Sequence, residues 1–459
     1  MSYSQPASLS LFNLLAFWVP VGLALIAIGT AREERAERVA TTALLALAAA
    51  AIGYFACGFA LQFGGAAFVS DMPGLQGLTA EWSPLDLTWG QGWGVVGLRG
   101  FFLQAEAYNQ DAYLLFLSHL PAVMTAVLVT MLALSEQLKG MQLLAVGLLV
   151  SGLIYPLFGN WVWGGGWLSN LGANLQLGHG FVDLAGSATV FLLGTLVAVA
   201  AFLLIKPRRP MEDGPAKLPP IHFPLLMVLG ALFATIGWPG LVLGNALLQE
   251  QVVLSLVLVN LMLAAAGGAL LVSLYTWFVT NRPDALATGR GAVAGLVGAS
   301  AACAFVPAWA ALLIGAAGGG LLLLGLYISE QVLRLDDPSG SAATFGMPGV
   351  WGILAPAIFA DGRWGAGWNG VGGQEYLGIA GQGISGLLVG SGYQPAGASQ
   401  LQAQLVGLGA LVVVSLLLTL LIFRAGIWVS VAAQRAQAGQ LAASPEAASA
   451  GAEQTDEEA

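Results

Sequence analysis

Residues 31–63 read AREERAERVATTALLALAAAAIGYFACGFALQF: Arg32, Arg35 and Arg38 stand together, and no charge follows as far as Phe63. The run Thr41–Phe63 has the ~20 residues with which an α-helix crosses a hydrocarbon core. It lacks period-2 alternation, so it reads as a helix and not as a barrel strand. Leu11–Thr30 precedes it with the same character. Ala112–Ser135, Gln142–Trp163, Val182–Ile205, Phe223–Leu247 and Val253–Val279 follow, then Arg290–Phe305, Ala308–Leu333, Ala342–Ala360 and Leu401–Val431. Only 8% of the 459 residues are charged and 57% are apolar, too little polar surface for a soluble chain. The reading is an all-α polytopic membrane protein with eleven transmembrane helices.

The basic residues fall on alternate loops. Arg32, Arg35, Arg38, Lys139, Lys206, Arg208, Arg209, Lys217, Arg282, Arg290, Arg334, Arg424 and Arg435 lie on one side, and only Arg99 and Arg363 on the other. The positive-inside rule places the first set in the cytoplasm, the N-terminus outside and the C-terminus inside. An odd number of spans requires the same. No basic region precedes the first span, so it reads as a retained helix, not a signal peptide. The net charge of −9 is weighted by residues 436–459, an acidic Ala/Ser/Gln-rich tail expected to be disordered. Cys57 and Cys303 fall in helices, so no disulfide framework or metal site is expected. Gly64–Tyr108, rich in Trp and Gly, is expected to cap the outer face.

Polar residues at membrane depth are costly and mark pathways. Asp183, at the start of the fifth helix, reads either as a cap on the helix dipole or as an acid stabilising a cationic substrate. His119, inside the third helix, reads as a satisfied buried histidine or a proton relay. Asn245 and Asn260 read as interhelical hydrogen-bonders, and His179 and His222 as interfacial. Gly289-Arg290-Gly291 with Gly295 opens a membrane helix with no strand before it. It is better read as a small-residue packing face than as a nucleotide loop. No Ser/His/Asp or Cys/His set has catalytic spacing, which argues against an enzyme.

A phrase recurs in the two halves: Gly186-Ser187-Ala188-Thr189-Val190-Phe191 in the fifth helix and Gly340-Ser341-Ala342-Ala343-Thr344-Phe345 in the tenth. Five helices separate the copies, so the second is inverted, as in transporters whose pathway lies between inverted repeats. The domain reading is a membrane domain over 1–435, with repeats near 11–205 and 223–360, a last helix near 401–431, and the tail 436–459.

Trp161-Val162-Trp163-Gly164-Gly165-Gly166, Asp183-Leu184-Ala185-Gly186-Ser187, Gly291-Ala292-Val293-Ala294-Gly295-Leu296-Val297-Gly298, Asp336-Asp337-Pro338 and Gly349-Val350-Trp351-Gly352 occur in an order that resembles the ammonium transporter (Amt/Mep/Rh) family. The resemblance covers roughly residues 10–432. It implies a homotrimer with one narrow hydrophobic pore per subunit, ammonium or ammonia as substrate, the cell (inner) membrane as location and a PII-type regulator. Trp163 matches the recruiting tryptophan, whose face attracts a cation by ~0.5–2 kcal/mol; the other reading is an interfacial belt residue. Asp183 matches the acid beside that site, and Asn245 falls at its hydroxyl position.

The departures are in the pore. The family's D-x-A-G-x-x-x-V-H ends here in Val190-Phe191, and its H-G-x-x-G becomes Phe345-Gly346-Met347-Pro348-Gly349. Both pore histidines are thus phenylalanine. The two gating phenylalanines fall near Ala122 and Leu241, and His119 falls near the pore mouth. The tail lacks the family's G-L-D … E-H-G phrase. Phenyl rings carry no exchangeable proton, so weak or absent electrogenic transport is expected. The alternatives are a non-conducting ammonium-binding receptor or scaffold, and a channel for another small neutral or weakly basic solute.

Overall fold

The computed structural model describes residues 4–85, 90, 92–205, 222–247, 252–332 and 340–442. Asp336, Asp337, the His222 side chain and residues 443–459 of the acidic tail lie outside the described residues. Ten described helices are long and apolar enough to span: α1 Leu9–Thr30, α2 Glu33–Phe68, α3 Gln110–Ala133, α4 Gly140–Trp163, α5 Ser187–Leu204, α6 Phe223–Leu243, α7 Leu254–Thr280, α9 Ala308–Tyr327, α10 Ala342–Phe359 and α11 Ala398–Gly426. Between α7 and α9, the apolar helix α8, Ala285–Ala299, is shorter than a full span. The eighth expected span therefore starts and ends earlier. Asp284 caps α8 by accepting from the amides of Leu286 and Ala287, and the helix ends at Ala299, so that Cys303 lies in the turn that follows and not in a helix. The two cysteines are free thiols. Helix α11 runs on to Ala442, so residues 436–442 are helical where composition suggested disorder.

Sheet is confined to two short antiparallel ladders in the connecting loops. Strands β1 (Glu81–Trp82) and β2 (Val96–Gly97) pair in the 64–109 cap, and β3 (Glu375–Tyr376) and β4 (Ile379–Ala380) pair in the loop before α11. No closed sheet exists among the described residues. Arg38 donates to the Leu138 carbonyl at 3.0 Å and Arg35 meets Glu136 at 3.9 Å, so the first and third loops share a face. Arg99 pairs with Glu106 in the cap.

Helices without a hydrophobic driving force between them need small residues to approach closely. Gly291 of α8 packs on Gly268 and Val272 of α7, Gly295 on Ala264, and Gly318 of α9 on the Ala294 carbonyl. The small-residue face read from Gly291 and Gly295 is thus used. Asn260 donates to the carbonyls of Cys303 and Val306 at 2.7 and 2.8 Å, tying α7 to the turn between α8 and α9. Wider π-helical turns interrupt α2 at Tyr54–Gly58 and α4 at Val150–Ile154, and they face each other across Ser151. Two more open α5 and α10, at Ser187–Leu192 and Ala342–Gly346, within the recurring phrase.

Before α5 the chain crosses the protein without regular structure, and its backbone groups need partners. Helix α11 supplies them with two glutamines one turn apart. Gln400 accepts from the His179 amide at 2.9 Å and donates to the Gly180 carbonyl at 3.0 Å. Gln404 accepts from the Val182 amide and donates to its carbonyl, both at 2.8 Å, and also donates to Ile353 of α10 at 2.7 Å. Gln404→Leu leaves the buried amide and carbonyl of Val182 without these partners. At ~1–3 kcal/mol for each such group, it is expected to lower the thermal unfolding midpoint in detergent by several degrees. An unchanged midpoint would show that water replaces the clasp.

Candidate functional site

Asp183 sits in that clasped segment and is buried. Its Oδ2 accepts from the amides of Ala188 and Thr189 at 3.1 and 2.9 Å and from the Thr189 hydroxyl at 2.8 Å. These are orphan donors of the first turn of α5, so the carboxyl acts as a helix cap. Gly186 permits the geometry: it takes φ 86°, which a side chain would strain, and lets the chain fold back over Asp183. The main-chain carbonyl of Asp183 accepts from Trp163 Nε1 at 2.9 Å, fixing the indole at the end of α4. Trp163 and Asp183 therefore meet through backbone, and the carboxylate faces its own helix.

The indole packs against His119, centroids 5.2 Å apart, and the imidazole packs on its other side against Phe63, at 4.7 Å. His119 is 3% exposed, its Nε2 has no hydrogen-bond partner, and its side-chain partner is Asn245. Asn245 holds itself in place by accepting from the Leu247 amide at 3.0 Å. Four residues far apart in sequence thus cluster in one buried site, termed the chamber, with the rings of Trp163 and Phe63 against the imidazole of His119 and with Asn245 as the second polar group. Phe63 was missed because it closes an apolar run of similar residues, and only the next two glycines mark a chain reversal.

Further along α5, Phe191 stacks on Phe345 with centroids 5.7 Å apart and planes at 18°. On its other face it stacks on Trp238 of α6 at 4.9 Å and 8°. The three rings form one column, and Trp238 Nε1 donates to the Ser300 hydroxyl at 2.9 Å, which locks its end. The two phenylalanines of the recurring phrase meet. Trp238 joined them without having been singled out, although Gly237-Trp238-Pro239-Gly240 marks a tightly packed turn of helix. Ala122 and Leu241, where gating rings were sought, are both buried.

Beyond Phe345 is a cavity of about 20 Å³, lined by Leu128, Val129, Arg290, Ser341, Thr344 and Phe345 among others. That is room for about one water-sized molecule. His179 is buried with Tyr376 edge-on at 4.4 Å, and burial pushes its imidazole down to about 4. No group of three or more His, Cys, Asp or Glu suited to a metal occurs among the described residues.

Phe63 of α2, His119 of α3 and Trp163 of α4 thus form one cluster, and Phe191 of α5, Trp238 of α6 and Phe345 of α10 form another, with the cavity beside Phe345. The chain is 33% identical over 357 residues to the ammonium transporter Amt2 of Archaeoglobus fulgidus, covering 77% of this chain and 71% of the relative. It is 27% identical over 351 residues to an ammonium transporter of Bacillus subtilis, covering 76% and 78%. Among solved structures, a sensor Amt protein superposes with TM-score 0.70 at 24% identity, over 91% of both chains. Mep2 of Candida albicans superposes at 0.69 and 22% identity, over 91% of this chain and 82% of that one. The last two establish likeness of fold. The model of the Ammonium Transporter Family matches residues 7–440, nearly the whole chain, and the protein belongs to that family.

Proposed function

We propose that the protein moves ammonium across the membrane as ammonia, by a route that begins at His119. The observation that carries this is the buried imidazole between Trp163 and Phe63 with an unpartnered Nε2. Trp163 offers a cation its π face, and Asn245 orients the imidazole. An ammonium ion in the chamber donates one N–H to Nε2. The N–H bond breaks, its proton stays on His119, and the nitrogen leaves as neutral ammonia. The proton returns to the side it came from. Only the neutral molecule then passes the ring column, which has no group to carry a charge, and reaches the cavity beyond Phe345.

The concentration of thirteen of the fifteen cationic residues on alternate loops of the sequence supports an external N-terminus and a cytoplasmic C-terminus, in a cell membrane. The recurring phrase, opened by a π-helical turn in both α5 and α10, supports a 5+5 inverted repeat with α11 added. Family membership supports a homotrimer and a PII-type regulator as further parts of this reading. A second reading, a receptor that binds ammonium without passing it, is favoured by the closed column at Phe191 and Phe345.

Uptake of labelled methylammonium into proteoliposomes separates the readings. Transport gives uptake above empty vesicles, lowered about three- to thirtyfold by Trp163→Ala, as expected for a lost cation–π contact. Binding without uptake supports the receptor, and neither result supports another solute.

A further inference from the structure

The walls of the chamber stand on two backbones that meet at one carboxyl in the cap. Gln62 of α2 precedes Phe63, and Asn160 lies one turn before Trp163 on α4. The Asn160 amide donates to the Gln62 carbonyl at 3.1 Å and to Glu81 Oε1 at 2.7 Å. Glu81, on β1 opposite Gly97 of β2, is fully buried. Gly65, Gly90 and Gly94 enclose it so closely that a Cβ at the first two would come within 2.8 and 2.7 Å of its side chain, and one at Gly94 nearer still.

Two oxygens there have no hydrogen-bond partner: Glu81 Oε2 and Asn160 Oδ1. If Glu81 is ionised, both are acceptors and neither can satisfy the other. If it is protonated, Oε2–H donates to Oδ1 while Oε1 accepts from Nδ2. A carboxylic acid and an amide close just such a two-bond ring. We propose that Glu81 and Asn160 form a neutral acid–amide pair that positions the chamber walls Phe63 and Trp163.

Burial among the glycines pushes the Glu81 carboxyl up to about 7, against the opposing effect of the Asn160 hydrogen bond. The sign follows from the raised value. The pair is complete below about pH 7, and it loses its second bond as pH rises through that value. Among the described residues, the groups facing Glu81 are Asn160 from α4 and glycine backbone from the cap and from the end of α2. Tyr54 is linked to the same stretch of α2, its hydroxyl donating to Gln62 Oε1 at 2.9 Å. Arg99 and Glu106, the charged pair of the cap, are exposed and bonded to each other. Glu81 is thus a positioning residue that makes the outer chamber sensitive to external pH.

The test uses the purified full chain and Glu81→Gln, whose amide makes both bonds of the ring at every pH. Infrared spectra are expected to show a protonated-carboxyl band in the wild type that disappears as pH is raised through about 7 and is missing from E81Q. The fluorescence contributed by Trp163, taken as the difference from Trp163→Phe, is expected to change over the same range. In E81Q and in E81Q with Trp163→Phe, that difference stays at its low-pH value. A band titrating near the usual carboxyl range of about 4, or a Trp163 signal that follows pH equally in E81Q, overturns the proposal. Where ligand is concerned the inference rests on the ammonium reading, so methylammonium is titrated in parallel. Its affinity is expected to fall about tenfold from pH 6 to about pH 8 in the wild type and to hold in E81Q. Absence of methylammonium binding at every pH counts against the ammonium reading, while the infrared and fluorescence results still decide the pair.

Discussion

An ammonium concentration jump on a supported membrane carrying the wild-type protein is expected to give no robust current, and Phe191→His with Phe345→His to give one. The reason is the ring column. Burying an ion in a dry passage costs several kcal/mol even after relaxation. A phenyl face could repay ~0.5–2 kcal/mol of that by cation–π attraction. Both faces of Phe191 are already covered, by Trp238 at 4.9 Å and by Phe345 at 5.7 Å. A cation would first have to part the stack, losing ~0.5–1.5 kcal/mol for each ring pair. Paired imidazoles change the sum, because each accepts a hydrogen bond from ammonium and can hold a proton. They are also smaller than phenyl and leave the π-helical turns of α5 and α10 in place. The gain in ammonium-dependent current is expected to be at least about tenfold, with potassium jumps silent in both proteins. A robust wild-type current would refute the column as a barrier to charge and move attention from His119 to a route for the ion itself.

Asp183→Ala is expected to be the most damaging single substitution on stability. It removes the acceptor of three hydrogen bonds and leaves the amides of Ala188 and Thr189 and the Thr189 hydroxyl unpaired in a buried helix start. At ~1–3 kcal/mol for each unsatisfied group, the loss is roughly 3–9 kcal/mol, comparable to the whole stability of a marginal domain. Asp183→Asn keeps an acceptor oxygen and is expected to cost ~1–2 kcal/mol. Unfolding midpoints in detergent, read beside methylammonium titration, separate the two roles an acid here can play. Binding that falls only as stability falls identifies the cap. Normal stability with lost binding in Asp183→Asn would identify an acid acting on the cation.

Much of this architecture follows from one-dimensional properties. A run such as Thr41–Phe63 has no choice but to cross lipid as a helix, because its backbone must satisfy itself there. Alternation of the basic loops needs only counting. The recurring Gly-Ser-Ala phrase was visible as a repeat, and both its phenylalanines proved to share one stack. Asp183 was legible as a helix cap or as an acid acting on a cation, and its hydrogen bonds to the first turn of α5 appear only in the tertiary structure. Residue patterns were less informative where the chain leaves regular structure. The eighth helix stops at Ala299 because of the turn holding Cys303, which apolar composition conceals.

The sequence by itself therefore determined the membrane class, the order of the spans and the family, and it singled out Phe191 and Phe345 as a repeated pair. These depend on composition, spacing and residue identity, which are properties of the chain. Only the tertiary structure decided that Phe63, His119, Trp163 and Asn245 share a chamber, that Trp238 completes the ring column, and that Glu81 reaches Asn160. Each of those contacts joins helices or loops distant in sequence. Hydropathy says that such side chains are buried, but only the rotation of each helix about its own axis says against what.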